Sequence, residues 1–418
     1  MNMTQLVKNQ NLYWISLTVF VVIFLVYAVG IRIIFLAHPI TIDNNDSRWH
    51  YDPLARNLLQ GHGYSKSLQP PYIPDSFHQP GYPLFLAANY AISGYSLQVV
   101  GYVQALLEVG ILYMIWQLGG RLGLSRRARV AAVVFGLATP LLPRFNREIL
   151  TEILATFAIT LTVLLIGLAI NKPQMNWRWI LAGISGGIVL LIRADLLPSI
   201  ILLILITVIL NRHWHKVALL LLFLFVIMSP WMLRNYTIYE QLKPLGDVTA
   251  QTQLPYVKWL DTWLTDYAEE REYWHKRDPD PSIDYTQLIK TAHEETPVRT
   301  FVWVPLLRII RVWINQPQNL PTPWYWQPAY FITYLTLVFG FTGAILIFWQ
   351  RQWSLLIPLA IVVGRSILPF MSALGVEPRY MLEAIPMVYL LCGFSYDHFY
   401  RTLQHLITGK NIAHSRGK

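Results

Sequence analysis

The sequence predicts an all-α polytopic membrane protein of about ten transmembrane helices, with a small, mainly helical outer-face domain and interfacial helices. Three observations predict it. Of the 418 residues, 54% are hydrophobic and only 13% charged, whereas soluble domains carry about 25% charged residues. Apolar runs of about 16–22 residues recur between short polar or basic breaks, which is the length a bilayer requires. Extended polar sequence is confined to residues 41–83 and 233–328.

The formal net charge of +10 does not point to nucleic acid, because Lys and Arg sit at loop edges and in the tail rather than on one amphipathic face. A single cysteine, Cys392, lies in an apolar run, so no disulfide framework or cysteine metal cluster is expected.

In chain order, residues 1–10 are polar, with Lys8 as their only charge. Residues 12–30 form the first span, with Arg32 near its far end placed to snorkel outward. The run is longer than a signal-peptide core and has no A-x-A cleavage site. Residues 38–83 form an outer loop, and 84–92 is too short to cross and belongs at the interface. Further spans are expected near 97–118, 130–142, 149–170, 177–192, 196–210 and 217–232, then near 329–349, 353–370 and 380–396. This divides the chain into an N-terminal transmembrane module (1–232), an extracytoplasmic loop domain (233–328), C-terminal transmembrane helices (329–398) and a basic tail (399–418).

Within the excursion, 265–276 and 285–293 read as short helices broken by Pro279, Pro281 and Pro297. Residues 301–314 set Arg308 and Arg311 against Trp and aliphatic side chains, as in an interfacial helix, and the Pro- and Trp-rich 315–328 suits the headgroup level. Ten spans place both termini on one side, with Arg121, Arg126, Arg127, Arg129, Lys172, Arg178, Arg212, Lys216 and Arg351. That basic side is expected to be cytoplasmic. Of the 23 acids, only Asp397 falls there.

Several residues on the opposite side are candidates for chemistry. Asp43 and Asp46 follow the first span, where a fixed carboxylate can act as general base towards an incoming hydroxyl. Alternatively they are solvated acids, with Asp46 or Ser47 capping a helix that starts near Trp49. Glu148 and Glu152 lie one helical turn apart at the start of a span, facing a polar cavity or simply favouring a helix N-terminus. Glu108, deep in its span, must be paired or neutral. Arg193, Arg234, Arg379 and His78 gather at one depth and suit a phosphate, or ordinary anchoring to lipid phosphates. Arg379 and Glu383, four apart, are placed to pair with each other. No phosphate-binding Gly-rich loop, dinucleotide fingerprint, H-E-x-x-H or G-x-S-x-G motif is present. His213 and His215 lack further ligand-type partners, and no metal site is assigned. Carboxylates are available to a divalent cation, but no spacing demands one.

Seven stretches in order carry a family resemblance: Asp46-Ser47, LARNLLQGHGYS at 54–65, QPGYPLFLA at 79–87, TEILATF at 151–157, LIRADLLP at 191–198, PWMLRNY at 230–236 and PRYMLEAIP at 378–386. Together they resemble the polytopic glycosyltransferases of the GT-C superfamily, the family-39-like group related to protein mannosyltransferases and aminoarabinose transferases. The resemblance implies a GT-C-like fold in the plasma membrane, and transfer of a sugar from a polyprenyl-phosphate donor to a lipid, glycan or protein acceptor at the outer face, with inversion. It implies Asp46 as the base, with Asp43 as its rival, and Glu152, flanked by Glu148, as the acid opening the later span. Arg193, Arg234 and Arg379 match outer-edge basic motifs where the donor phosphate is recognised; Tyr51, Tyr82 and Tyr380 are candidate contacts to sugar or acceptor. Two departures stand out. The basic-Pro-Pro expected before GYP reads His78-Gln79-Pro80, and the spacing from Asp46 to LARN is one residue long. The partners implied are membrane lipids, the lipid-linked donor and an unidentified acceptor, with no firmly implied cofactor and no nucleic acid. The competing classes are a lipid or solute transporter, with Glu108 as its coupling site, and a non-catalytic assembly subunit.

Overall fold

The structure is a computed structural model that describes residues 3–40, 42, 46–211, 214–240, 244–245, 304–314, 327–371 and 378–408. Among these the regular structure is all helical, with loop at 61–80 and one isolated antiparallel bridge, Ser65 to Pro74. In order the helices are α1 (Met3–Ala37), α2 (Asp52–Gln60), α3 (Gly81–Ser93), α4 (Leu97–Arg121), α5 (Arg126–Ala138), α6 (Leu141–Phe145), α7 (Glu152–Asn171), α8 (Asn176–Ile192), α9 (Leu197–Leu210), α10 (Trp214–Tyr239), α11 (Val304–Ile314), α12 (Gln327–Gln350), α13 (Leu356–Met371) and α14 (Ile385–Thr408). A π-turn, Ser47–Tyr51, leads into α2, and 3-10 turns occur at Ala194–Leu196, Trp353–Leu355 and Pro378–Ala384.

Helices α4, α7, α10 and α12 are each long and apolar enough to cross a membrane. The apolar stretches Val21–Ala37, Asn176–Ile192, Ala194–Leu210 and Trp353–Ile367 are shorter. The chain is an integral membrane protein. Its outward side chains agree: Val22, Ile23, Val26 and Ile33 of α1, and Leu106, Val109 and Tyr113 of α4, are all exposed. Such faces are stable against acyl chains and costly against water.

At the centre is the first half of α14. Ile385 to Ser395 is buried on every side, as expected of a helix surrounded by others. It packs chiefly on α5 and α12. In a bilayer, close helix approach depends on small residues. A Cβ on Gly393 would lie 2.1 Å from the Ala128 carbonyl oxygen of α5. On α8, Gly183 and Gly187 share one stripe, and a Cβ at either would meet a carbonyl of α10: Leu220 O at 2.2 Å and Leu224 O at 2.8 Å. Polar side chains start two helices, the Ser96 and Ser125 hydroxyls accepting from Val99 N and Ala128 N.

Several boundaries and contacts differ from the sequence expectations. The run 130–142 divides at Thr139-Pro140, since proline offers no N–H to extend α5, and α6 is a separate turn. The run 380–396 begins as the 3-10 turn Pro378–Ala384, and α14 continues through residues 399–408 assigned to the tail. Arg32 does not snorkel outward. Its guanidinium turns inward to Glu108, Nη2 donating to Oε1 at 2.6 Å, while Asn146 Nδ2 donates to Oε2 at 2.6 Å. A buried carboxylate demands a partner more strongly than a half-buried guanidinium gains from water. The helix expected over 301–314 is α11, docked on α13 through Trp313 Nε1 donating to Ser366 Oγ at 2.9 Å. The helices expected at 265–276 and 285–293, the segment 315–326, Asp43, and the side chains of Arg308 and Arg311 lie outside the described residues.

Replacing Gly393 by Ala should lower unfolding stability in detergent by about 1–3 kcal/mol, because the Ala128 carbonyl leaves the methyl no room. Thermal or SDS unfolding with no loss of stability would contradict this packing.

Candidate functional site

The opening loop is held by its own side chains. Asp46 stands immediately before the π-turn. Ser47, buried, donates from Oγ to Ile149 O at 2.6 Å and so pins the turn to the entrance of α7. Asp52 accepts from Tyr90 OH at 2.9 Å, and α2 ends on Gly61 in the left-handed region, at φ 77°, where a Cβ would be strained. Neither Asp46 nor Ser47 caps the helix. Asp46 has helical backbone angles and makes no cap hydrogen bond. Its carboxylate instead meets Arg379, Nη2 to Oδ2 at 2.9 Å.

Behind this pair lies a buried charge network. Arg193, at the end of α8, grips Asp195 with two bonds, Nη2 to Oδ2 at 2.7 Å and Nε to Oδ1 at 3.0 Å. Its Nη1 lies 3.0 Å from Glu383 Oε1 and 3.3 Å from Glu152 Oε1. Arg365, on α13, completes the arrangement with Asp195 and Glu383, each at 3.1 Å. Arg379 Nε is 3.9 Å from Glu152 Oε1, so Glu152 links the inner charges to the Arg379–Asp46 pair. Tyr380 lies under both Arg193 and Arg379, at 5.5 and 5.3 Å. Helix α7 starts at Glu152, so this carboxylate also meets the helix N-terminus.

Beside the network, aromatic and basic residues of the loop form a second cluster. Tyr51 packs edge-on against His78 at 5.7 Å and Tyr82 at 5.2 Å, and His78 stacks on His50 at 4.4 Å. Burial and then the Glu152 carboxylate push the Tyr51 phenol well above its usual range, so it remains an O–H donor. Asp75 Oδ2 accepts from His78 N at 2.9 Å and lies 3.0 Å from Nδ1; Lys66 is 3.4 Å from its other oxygen. Burial opposes ionisation of Asp75, but the His78 hydrogen bonds and charge, with Lys66, outweigh it and hold the carboxyl down at about 2. His50 is lowered to about 4, first by burial, then by the His78 and Lys66 charges. Arg234 Nη1 donates to Asp75 O at 2.8 Å, its guanidinium stacked on Trp231 at 4.7 Å.

Of the residues singled out from sequence, Asp46, Glu152, Arg193, Arg379, Tyr51 and Tyr380 come together. His78 and Arg234 belong to the adjoining cluster. Tyr82 is buried beneath Tyr51, its hydroxyl given to Gln104 Oε1 at 3.2 Å. Glu148 does not share a helical face with Glu152, because α7 begins only at Glu152; it is paired with Arg144 in the preceding turn. The expected Arg379–Glu383 pair is replaced by Arg193 and Arg365 on Glu383. The segment is 3-10, three residues to a turn, so positions four apart point in different directions. Sequence reasoning missed Arg365 altogether and gave Asp195 and Glu383 no part in the site. A lone arginine in the apolar run 356–371 was the signal for the first, since such a residue must face a polar interior. Among the described residues, no three His, Cys, Asp or Glu side chains group closely enough to hold a metal ion.

Residues 77–233 match the family model described as dolichyl-phosphate-mannose-protein mannosyltransferase. The fold is similar to that of ArnT from Cupriavidus metallidurans bound to undecaprenyl phosphate, with TM-score 0.54 and 12% identity over 93% of this chain and 63% of that one. It is also similar to the archaeal oligosaccharyltransferase AglB from Archaeoglobus fulgidus in complex with an inhibitory peptide and a dolichol-phosphate, with TM-score 0.50 and 14% identity over 95% and 53%. The chain spans less than two thirds of the length of either protein. No curated protein matches the sequence.

The loop cluster should be acid-sensitive in two stages. In the unfolded chain His50 takes up a proton near pH 6.5, but the folded ring refuses it until about 4, so stability falls with pH across that interval. Asp75 protonates near 3.8 unfolded and about 2 folded, so its contribution is present above 3.8 and lost towards 2. Asp75→Asn should cost on the order of 1–2 kcal/mol at pH 7 and flatten the lower stage. His50→Phe should flatten the upper stage. Unfolding measured across a pH series checks both signs.

Proposed function

With the fold of the GT-C superfamily as its frame, we propose that this chain transfers a sugar from a polyprenyl-phosphate-linked donor to an acceptor hydroxyl at the outer face of the membrane, inverting the anomeric carbon. The observation that carries the reading is the Asp46–Arg379 pair. Asp46 is the most exposed carboxylate of the network, at 39%, and it is bonded to an arginine that joins the buried charges behind it.

The chemistry follows from that placement. A donor phosphate entering at headgroup depth exchanges with Asp46 for the Arg379 guanidinium, whose fork suits a phosphate oxygen pair. Asp46, released but still ionised, accepts the proton of the acceptor hydroxyl. The hydroxyl oxygen bonds to the anomeric carbon as the bond from that carbon to the phosphate oxygen breaks, and the polyprenyl phosphate leaves with the electron pair. Arg379 and Arg193 stabilise charge gathering on the leaving phosphate, so no general acid is needed. Glu152 orients Arg193 and Arg379, and Tyr51 offers its O–H to sugar or acceptor. His78 and Arg234 extend the basic surface, and no firmly implied cofactor enters the scheme. Glu148 and Tyr82 remain in the proposal only as neighbours of this centre, and Asp43 only as the rival base offered by the sequence.

The same reading takes ten spans with cytoplasmic termini in the inner membrane, residues 1–232 as the module that carries Asp46, Glu152 and Arg193, the C-terminal helices (329–398) as the source of Arg379, and 233–328 as extracytoplasmic domain. It favours an enzyme over a transporter, because Glu108, the acid a transporter would use for coupling, is bound by Arg32 and Asn146.

Asp46→Asn should abolish transfer of labelled sugar from a polyprenyl-phosphate donor by the purified protein, with unchanged elution in detergent. Turnover near that of the parent would remove Asp46 as the base. For the orientation, a cysteine at Leu68 should react with a membrane-impermeant maleimide on intact cells, and one at Lys172 only after permeabilisation. The native Cys392 is buried and can stay. The opposite labelling pattern would overturn the outer-face assignment.

A further inference from the structure

We propose that Arg365 is a positioning residue that sets Arg193 and Arg379 for the donor phosphate by closing a ring of four alternating charges. The inference rests on the donor-phosphate reading above and adds a residue to it. The ring runs Arg193 to Asp195 at 2.7 Å, Asp195 to Arg365 at 3.1 Å, Arg365 to Glu383 at 3.1 Å, and Glu383 back to Arg193 at 3.0 Å. Each member touches two of opposite sign. The Arg365 and Glu383 side chains are 0% exposed, and Arg193 is 9% exposed.

The ring joins the α8–α9 junction to two elements far along the chain, α13 and the 3-10 turn Pro378–Ala384. Arg365 uses all three arms of its guanidinium to do so. Besides its two carboxylates, its Nε donates to Tyr380 O at 2.6 Å. Tyr380 directly follows Arg379, so this bond places the backbone that carries the arginine facing Asp46. Through Glu383 and Asp195, Arg365 also fixes two of the carboxylates that orient Arg193. A guanidinium so deeply buried is costly to desolvate and is retained where opposing charges surround it. Lysine, a point charge on a flexible stem, cannot reproduce two carboxylate contacts and a carbonyl contact at once. Because the bonded groups lie beside the reacting ones, a small displacement here is transmitted to the phosphate site, where about 1 Å of misplacement can cost about a hundredfold in rate.

The test is Arg365→Lys in the full-length protein in nanodiscs, with Glu383→Gln as a second, isosteric break in the ring should the lysine variant not fold. Two readings are taken: amide hydrogen exchange over residues 379–384, and kcat and donor KM for transfer from a polyprenyl-phosphate sugar. The expected result is faster exchange in that segment with kcat per folded molecule reduced at least about tenfold. Unchanged exchange overturns the proposal whatever the activity. Faster exchange with kcat and donor KM within about twofold of the parent also overturns it, leaving a purely structural tie. If the parent protein transfers no sugar, the function reading fails separately, and binding of undecaprenyl phosphate takes the place of turnover. Weaker binding by the variant together with faster exchange then upholds the positioning role, and equal binding, or none by the parent, overturns it.

Discussion

A guanidinium inside an apolar bundle must bring its acceptors with it, and much of this site follows from meeting that demand twice, at Arg193 and Arg365. Charges of this kind are retained where opposing charges and hydrogen bonds surround them, because desolvation otherwise exceeds any Coulombic gain. Here the solution is reciprocal. Asp195 and Glu383 each lie between the two arginines, so every member answers for the burial of its neighbours. Removing one partner therefore leaves an uncompensated charge rather than a missing contact, and the network tolerates change poorly.

The ring needs rigid walls, and helix packing supplies them. Gly183 and Gly187 let α8 approach α10 until a carbonyl occupies the space of a side chain, and Gly393 does the same between α14 and α5. Close approach of backbones leaves little freedom for the junctions at the helix ends, where Arg193, Asp195 and Glu383 lie. A second buried pair, Arg32 with Glu108, ties α1 to α4 by the same principle. The inner layer is thus apolar packing with a few charges set against opposite ones.

Exposure increases outward from this base. Glu383 and Arg365 are enclosed, Glu152 is nearly so, Arg379 and Asp195 are partly exposed, and Asp46 is the most exposed carboxylate of the network. The innermost charges are held from several sides, while Asp46 meets Arg379 at the more exposed edge of the network. The loop that carries Asp46 is itself anchored, by Ser47 on Ile149 O and by the Asp75–His78 contact, so the acid rests on a folded support.

Sequence alone determined the class of fold and the location of most helices, because apolar runs long enough to meet a bilayer are a one-dimensional signal. The bodies of α4, α7, α8, α9 and α12 were legible to within a few residues for that reason, whereas α10 runs on to Tyr239, into sequence read as the polar excursion. It also separated the clustered acids and arginines from the apolar helix faces, since a charge is conspicuous against hydrocarbon. Pairing was not legible. Glu148 and Glu152 looked like one face of one helix, and Arg379 and Glu383 like an i,i+4 pair, because spacing was read on an α-helical ruler. A turn before α7 and a 3-10 segment before α14 rotate those side chains to other partners. Arg365 was visible as an isolated charge, but its partners lie 170 residues upstream and 18 downstream. Only the tertiary structure could decide which buried charges meet, because Glu152 and Glu383 are held by arginines that packing brings close and not by those nearest in sequence.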